Sequence, residues 1–359
     1  MKKHIRLFSS ITLFLVLSAP VLSLAANGDE EVRKQKLINK SYNVTADDKL
    51  QIENQFGNVV VSTWDKNEIT VDIEISARAS TEERAQEIMK KLDVKDSKDG
   101  HTIWFKTTVD EIRGVRNDRD HDRGDHDRGN RDRNGDGDRA FYIDYVIHMP
   151  AGNRLQIENS FGKMEIPAFK GPVTLTSKFG SLNTGKLDNV DMIDVEFGKA
   201  YITEVDNGKI IFKFNKESRI GKVNGNVKIT SEFSDNVQFN VADNIKELSV
   251  FESYSKVRMV VDKSLSAEID VHTSFGSFRN ESEFNIDENK EDKANDYGPH
   301  FDKDYNGKAG EGRARIKIKS SFGSVRLSHN GAAGRERDEK DKDKDKEKSK
   351  EDKDDEKTT

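Results

Sequence analysis

Cysteine is absent from the 359 residues. This absence excludes disulfides, thiolate metal sites, a cysteine nucleophile and a lipid-modified N-terminal cysteine. The sequence also lacks an H-E-x-x-H zinc motif, a nucleophile elbow, a phosphate-binding loop and a dinucleotide fingerprint. The formal net charge of −6 gives no general attraction for nucleic acid. We therefore predict a chain without a nucleic-acid partner and without a recognisable catalytic motif.

Long apolar runs are missing after the first 25 residues, so no later segment is predicted to cross a membrane as a helix. Residues 1–25 have the pattern of a secretory signal peptide. Lys2, Lys3 and Arg6 precede a short apolar stretch, and small residues lead to a cleavage site after Ala25. This pattern predicts an exported protein of the periplasm or the cell surface, or a secreted one. A retained membrane anchor is the alternative.

Three segments have too few apolar residues to join a core. Residues 113–139 consist almost entirely of Arg, Asp, Asn, Gly and His, and residues 331–359 are mostly Lys, Asp and Glu. Such segments bury too little apolar area to offset the entropy lost on ordering. We predict a disordered loop, a disordered charged tail and, at 280–312, a polar insertion with solvated loops.

Two stretches in these segments match the first half of a calcium-binding loop, with oxygen-bearing residues at alternate positions and glycine at the sixth. They are Asp132–Gly137 and Asp302–Gly307. Both lack the closing glutamate, because Ile143 and Arg313 occupy the twelfth positions. We therefore predict no metal and no cofactor, and a calcium-dependent binding module remains an alternative.

A short phrase recurs along the rest of the chain: a polar residue, an aromatic residue, a small residue and then an alternating apolar run. The first three copies begin at equal intervals, the next interval is twice as long, and the two after it are slightly longer than a single step. A nearly fixed period of this size predicts a solenoid of stacked coils. The copies are Phe161-Gly162, Phe179-Gly180, Phe197-Gly198, Phe233-Ser234, Tyr254-Ser255, Phe275-Gly276 and Phe322-Gly323.

Apolar residues recur at the same positions of successive coils, and we call each such set a column. Counting each Phe as position one, the columns at positions six, nine and fifteen are apolar in nearly every coil, which predicts strands stacked around one core. The Phe residues should stack about 4.8 Å apart, the spacing of neighbouring strands. Glycine should supply a positive φ at the corner. Asn215 stands where the fourth Phe is expected, so we predict a gap there. The columns are, at position six, Ile166, Thr184, Ile202 and Ile220; at nine, Phe169, Leu187, Val205 and Val223; at fifteen, Leu175, Ile193, Ile211 and Ile229.

We therefore predict an all-β fold, a parallel β-solenoid with coils of 18–21 residues over 140–330. An antiparallel β-sandwich with recurring hairpins is the alternative. Residues 26–112 contain an early copy of the phrase, because Leu50–Gly57 nearly repeats as Leu155–Gly162. The rest of 26–112 is predicted to form a β-rich cap at the N-terminal end of the solenoid.

The predicted cap contains one short helix. Ser80-Thr81-Glu82-Glu83 reads as a capping box, and Ala85, Ile88, Met89 and Leu92 follow at helical spacing. Residues 102–109 and 141–149 are further strand candidates. Nothing in this region indicates a ligand site, although a ligand-binding domain is the alternative interpretation of the cap.

Exported solenoids include polysaccharide lyases, which place carboxylates and a basic residue on one solvent face. Asp194, Glu196, Glu232 and Asp270 are the carboxylates that could serve such a face. Alternation places polar residues on the outer face of any half-buried strand, so solvated strand faces explain these residues better. We therefore assign no catalytic, cofactor-binding or metal-binding residue.

The pattern Ile-Glu-Asn-x-Phe-Gly, followed by stacked Ser-x-Phe-Gly phrases, resembles the putative-adhesin β-solenoid family of bacteria, a family of unknown function similar to autotransporter-adhesin head domains. The resemblance covers residues 45–80 and 141–329. It implies an exported, non-enzymatic adhesin or structural module of the cell envelope that binds an unknown envelope or surface ligand. A periplasmic carbohydrate-binding or lyase-like protein is the alternative.

Overall fold

The computed structural model describes residues 31–110, 140–289 and 301–329. The predicted signal peptide, the predicted loop at 113–139 and the predicted tail at 331–359 lie outside the described residues. The first calcium-like stretch, Asp132–Gly137, lies outside them as well.

Within the described ranges the chain forms 21 β-strands and one short helix, α1 (Glu82–Met89). The strands are β1 (Val32–Asn43), β2 (Lys49–Gln55), β3 (Val59–Trp64), β4 (Glu68–Ala79), β5 (Leu92–Asp99), β6 (Thr102–Val109), β7 (Phe141–Pro150), β8 (Arg154–Ser160), β9 (Lys163–Ile166), β10 (Phe169–Lys178), β11 (Ser181–Glu196), β12 (Lys199–Lys213), β13 (Glu217–Glu232), β14 (Val237–Ser253), β15 (Lys256–Val261), β16 (Ala267–Ser274), β17 (Ser277–Glu281), β18 (Asn285–Glu288), β19 (Asp302–Ala309), β20 (Ala314–Ser321) and β21 (Ser324–His329).

The strands form two sheet arms around a shared apolar core, and the long strands β11 to β14 run through both arms. The first arm has the order β1-β4-β7-β3-β9-β11-β12-β13-β14-β15-β21-β17. The second has the order β5-β6-β2-β8-β10-β11-β12-β13-β14-β20-β16-β19-β18. Successive coils pair in parallel, which confirms the β-solenoid and rules out the antiparallel sandwich.

Two of the three predicted columns are correct. At position nine, Leu187 pairs with Phe169 and Val205, and Val205 pairs with Val223. At position six, Thr184 pairs with Ile166 and Ile202, and Ile202 pairs with Ile220. All these residues are buried, as a continuous core requires.

The position-fifteen column is wrong at one member. Ile193 pairs with Ile210, which in turn pairs with Ile229, so Ile210 and not Ile211 occupies the column. The cause is a coil one residue shorter than its neighbours. The residue is lost at the bend next to Asn207, which has a φ of 65°, and Gly208, which has a φ of 129°.

The N-terminal end is covered as predicted by a β-rich region with the helix. Strands β1 and β4 pair antiparallel beyond the parallel stack, and α1 packs against them through Ala85 and Ile88. The N-cap is Thr81, whose hydroxyl accepts from the Arg84 amide at 3.2 Å. The third helical position is then Arg84 and not a glutamate, so the predicted capping box does not form. The helix ends before Leu92, which begins β5.

The C-terminal end departs from chain order. The last coil, made of β20 and β21, lies between the coil of β14 and β15 and the coil of β16 and β17. The predicted polar insertion contains two antiparallel strands, β18 and β19, and not only solvated loops. These strands extend the second arm beyond β16.

Candidate binding surface

Among the described residues, ten aromatic rings form a continuous ladder along one edge of the solenoid. The centroids of neighbouring rings are 4.4 to 5.2 Å apart and their planes differ by 2° to 16°, in agreement with the predicted strand spacing. We call this set the aromatic ladder. In spatial order its members are Phe56, Phe161, Phe179, Phe197, Phe214, Phe233, Tyr254, Phe322, Phe275 and Phe301.

The predicted gap in the ladder does not exist, because Phe214 fills it. Phe214 is stacked between Phe197 at 4.7 Å and Phe233 at 5.2 Å, while Asn215 takes the place of the glycine that follows each earlier Phe. Phe214 is missed in the sequence when a constant number of residues is assumed between successive ladder positions. Allowing one coil to be a residue shorter and the next a residue longer would have revealed it, since the aromatic residue is only one position away.

The positive φ at each corner belongs to the aromatic residue and not, as predicted, to the glycine. Nine ladder members, all except Phe301, have φ values between 50° and 63°. A residue with a side chain is strained in this left-handed region by about 1–2 kcal/mol. Stacking between aromatic rings contributes about 0.5–1.5 kcal/mol per pair and offsets this strain.

Glycine follows Phe because the backbones of neighbouring coils approach too closely for a side chain. A Cβ atom on Gly162 would lie 1.8 Å from the Gly57 carbonyl oxygen, and one on Gly180 would lie 1.9 Å from the Gly162 carbonyl oxygen. The glycine therefore meets a packing need between coils rather than a turn geometry.

Asn215, Ser234 and Ser255 replace the glycine in three middle coils, and these buried residues form hydrogen bonds along the axis. The Asn215 backbone amide donates to the Ser234 hydroxyl at 3.2 Å, and the Ser234 amide donates to the Ser255 hydroxyl at 3.0 Å. The Ser255 amide donates to the Glu252 carboxylate at 2.6 Å, and the Ser320 hydroxyl donates to the same carboxylate. This chain of bonds joins the inserted last coil to its neighbour.

Glu252 is 3 % exposed, and burial raises the pKa of its carboxyl group above the ordinary value. The sequence pattern did not single it out. Its burial could have been inferred from its position two residues before the ladder residue Tyr254, because the residue at this position faces inward in the described coils. Asn54 and Asn159 occupy the equivalent position, and their side chains bond to each other at 3.0 Å.

Outside the core, some rows of charged residues alternate in sign from coil to coil. One row is Lys178, Glu196, Lys213 and Glu232, in register on four neighbouring strands. Lys213 bonds to Glu196 at 3.1 Å and lies 3.6 Å from Asp194. The rows are thus held by ion pairs within the protein.

The structure brings three of the four lyase-type carboxylates onto one face. Asp194 and Glu196 lie on β11 and Glu232 on β13, around Lys213, whereas Asp270 lies on β16, three strands beyond β13. The hydrogen bond that Lys213 donates to Glu196, together with the nearby carboxylates, raises the pKa of Lys213. A general base needs a pKa near the working pH, so a lysine stabilised in its charged form is poorly suited to proton abstraction.

The described residues of this face do not form a metal-binding site. Burial raises the pKa of Asp194, and its Oδ1 atom is buried without a hydrogen-bond partner. Among the described residues no three metal-ligating side chains of His, Cys, Asp or Glu converge. The second calcium-like stretch forms part of strand β19, where Asp304 bonds to His272 at 2.8 Å, so it does not fold as a calcium loop.

A shallow hollow of about 460 Å³ lies on the first arm near its N-terminal end. Trp64 lines it, with the His148 ring at 5.3 Å and the Lys66 ammonium 4.5 Å from the ring centroid. If the protein bound a carbohydrate, as in the alternative interpretation, the Trp64 ring in this hollow would be the surface for a sugar ring. His148 and Lys66, however, already pack against the indole ring.

Within the described ranges, no helix has the length and apolar character needed to cross a membrane. No protein-family model matches the sequence, and no curated protein matches it.

Comparison with solved structures finds similar chains at low identity. A putative adhesin from Bacteroides fragilis has 12 % identity and a TM-score of 0.39, over 81 % of this chain and 97 % of that one. A putative cell adhesion protein from Clostridium sporogenes has 10 % identity and a TM-score of 0.27, over 83 % and 100 %. A putative adhesin from Parabacteroides distasonis has 10 % identity and a TM-score of 0.25, over 81 % and 97 %. The solved structures to which the chain is similar are thus described as putative adhesins or as a putative cell adhesion protein, and the sequence resemblance names the same kind of protein.

Proposed function

We propose that this protein is an exported, non-enzymatic binding module of the cell envelope, of the adhesin or structural type. The observation that supports the proposal most directly is the aromatic ladder, a continuous and solvent-facing edge. Eight of its rings, from Phe179 to Phe301 in spatial order, are 47–53 % exposed. Nine ring-to-ring steps at strand spacing give a length of about 43 Å.

A surface of this kind suits an extended ligand better than a small substrate. The ladder and the charged rows present the same side-chain positions coil after coil, and solenoids use such extended surfaces for binding. Each ring face within the ladder is covered by its neighbour, so the solvent meets ring edges. This geometry disfavours stacking of sugar rings on the ladder and favours contact with another extended surface.

The cluster formed by Lys213 and the carboxylates around it favours a binding role over a lyase activity. Lys213 is held in its charged form, because its neighbours are ion-pair partners in register. The alternative of a lyase would require a base at that position with a lowered pKa.

Fractionation of the source cells, with an antibody against the native chain, tests the proposal. We expect the protein in the envelope or the medium, shortened by a mass that corresponds to residues 1–25. We also expect the purified mature chain to bind isolated envelopes and to leave envelope polysaccharides uncleaved. A cytoplasmic location, or release of unsaturated sugar products, would contradict the proposal.

A further inference from the structure

Three arginines lie in one row near the C-terminal end of the first arm. Arg258 on β15 pairs in register with Arg326 on β21, which pairs with Arg279 on β17. Their neighbours along each strand are buried or half-buried, so alternation directs all three to the outer face. We call this set the arginine row. Neighbouring members are separated by one strand spacing, about 4.8 Å.

The arginine row places three positive charges side by side on neighbouring strands. Lysine and glutamate alternate in some outer rows, as in Lys186, Glu204 and Lys222. Like charges face each other in pairs in others, as in Lys209 and Lys228, and the arginine row extends such a contact to three strands. Like charges directly opposite each other on neighbouring strands destabilise a sheet. The facing guanidinium groups therefore concentrate positive charge at one place in a protein of net charge −6.

The last coil, inserted out of chain order, creates the row. Without β21, Arg258 and Arg279 would not be linked by Arg326. The Glu281 carboxylate is shared between two members, at 3.7 Å from Arg279 and 3.5 Å from Arg326. This carboxylate bridges the two guanidinium groups and keeps them side by side on the outer face.

A hollow of about 400 Å³ lies directly on the row. Arg258 and Arg326 line it together with Lys256 and Ser324, and Asp235 is the acidic residue of its lining. The lining thus combines three cations with a hydroxyl group and a single carboxylate. Guanidinium groups bind carboxylate and phosphate oxygens in a bidentate manner, which makes them suited to oxyanions.

We propose that the arginine row binds a linear anionic glycopolymer, one that carries carboxylate or phosphate groups along its chain. The inference rests on the proposed function as an envelope-binding module and gives its ligand a chemical class. Charges that repeat along a polymer match cations that repeat along a row. The row spans only three strands of an otherwise acidic protein, and the described rings near it present edges rather than free faces. Both features disfavour nucleic acid, whose binding sites combine a long basic track with exposed aromatic faces.

Binding of purified mature protein to immobilised polymers tests the proposal. The probes are polygalacturonate for carboxylate, poly(glycerol phosphate) for phosphate, neutral dextran and a short DNA duplex. We expect saturable binding to one or both anionic polymers, weakened by added salt, and none to dextran. The double variant Arg258→Gln with Arg326→Gln should lose at least tenfold in affinity, and the single variant Arg279→Gln, at a more exposed position, should lose less.

The matched control is Lys199→Gln with Lys222→Gln, which removes the same charge from exposed positions of β12 and β13. It should bind like the parent, and thermal unfolding should show that all variants remain folded. Equal losses in the control, absence of binding to both anionic polymers, or tighter binding to DNA would each overturn the proposal. These outcomes are separate from the location of the protein, because a cytoplasmic protein would contradict the proposed function whatever the polymer result.

Discussion

Phe214 stacks on Phe197 with ring centroids 4.7 Å apart and planes 2° apart, although the step between them along the chain is one residue shorter than the step from Phe179 to Phe197. The missing residue comes from the bend near Asn207, and the following coil, which is one residue longer, restores the register. The corner keeps its geometry, while the opposite bend absorbs the change in length. The aromatic ladder is thus the part of each coil with the strictest spatial requirement.

Removal of one ring should weaken the stack at that point. Phe214→Ala eliminates two stacking contacts while leaving a side chain in the left-handed region, so we expect a loss of about 2 kcal/mol in the free energy of unfolding. Phe214→Tyr should stay within about 0.5 kcal/mol of the parent, because Tyr254 already occupies the ladder. Urea unfolding monitored by circular dichroism measures both, and equal stability of the Ala variant would contradict a stabilising ladder.

The close approach of the coils can be tested at glycine. In Gly180→Ala the new Cβ atom would lie 1.9 Å from the Gly162 carbonyl oxygen, so the backbones must separate. We expect a loss of roughly 2 kcal/mol or more, as for other overpacked cores. Gly152→Ala is the matched control, because its Cβ atom would meet nothing within 4 Å. Similar melting temperatures for the two variants would show that coil contact does not select glycine.

A charge placed in the position-nine column should prevent folding. Val205 is fully buried between Leu187 and Val223, so Val205→Asp would bury an unpaired carboxylate. The cost is on the order of 5 kcal/mol, comparable with the stability of a whole domain. Lys209→Asp, at an exposed position of the same strand opposite Lys228, should keep the parent's circular dichroism spectrum and melting temperature. A folded Val205→Asp protein would show the register to be wrong.

Glu252 should make stability depend on pH. Burial raises its pKa in the folded state above that in the unfolded state, so folding favours the protonated form. Its favourable contribution is complete below the unfolded pKa and is lost as the pH rises through the folded pKa. The melting temperature of the parent relative to Glu252→Gln should therefore fall as the pH rises from about 4.3, the ordinary pKa of glutamate, towards neutral pH. A relative melting temperature that rises over this range would contradict the assignment.

Much of the fold follows from periodicity, because a strand with one buried face repeats its apolar positions visibly. Leu187, Val205 and Val223 could thus be placed in one column from the sequence. The order of coils could not be predicted at the C-terminal end. The phrases at Phe275 and Phe322 look alike, and nothing local in either one specifies that β21 pairs with both β15 and β17.

The candidate surfaces were less predictable than the core for the same reason. The arginine row depends on that coil order, since Arg258, Arg326 and Arg279 are distant in sequence and become neighbours only through the insertion of β21. The role of glycine was misassigned because positive φ and close backbone approach both select glycine. Only the structure distinguishes Phe161, with φ of 61°, from Gly162, whose site is crowded.

Disulfide crosslinking tests the inserted last coil most directly, because the chain has no cysteine of its own. Lys256 pairs in register with Ser324, whereas Ser277 lies one strand further away, beyond β21. We predict that Lys256→Cys with Ser324→Cys forms a disulfide under mild oxidation, since neighbouring strands place Cα atoms within its range of about 4.4–6.8 Å. Lys256→Cys with Ser277→Cys should stay reduced in the folded protein. Peptide mass spectrometry that finds the second crosslink and not the first would show that the coils stack in chain order, which would contradict both the inserted coil and the arginine row.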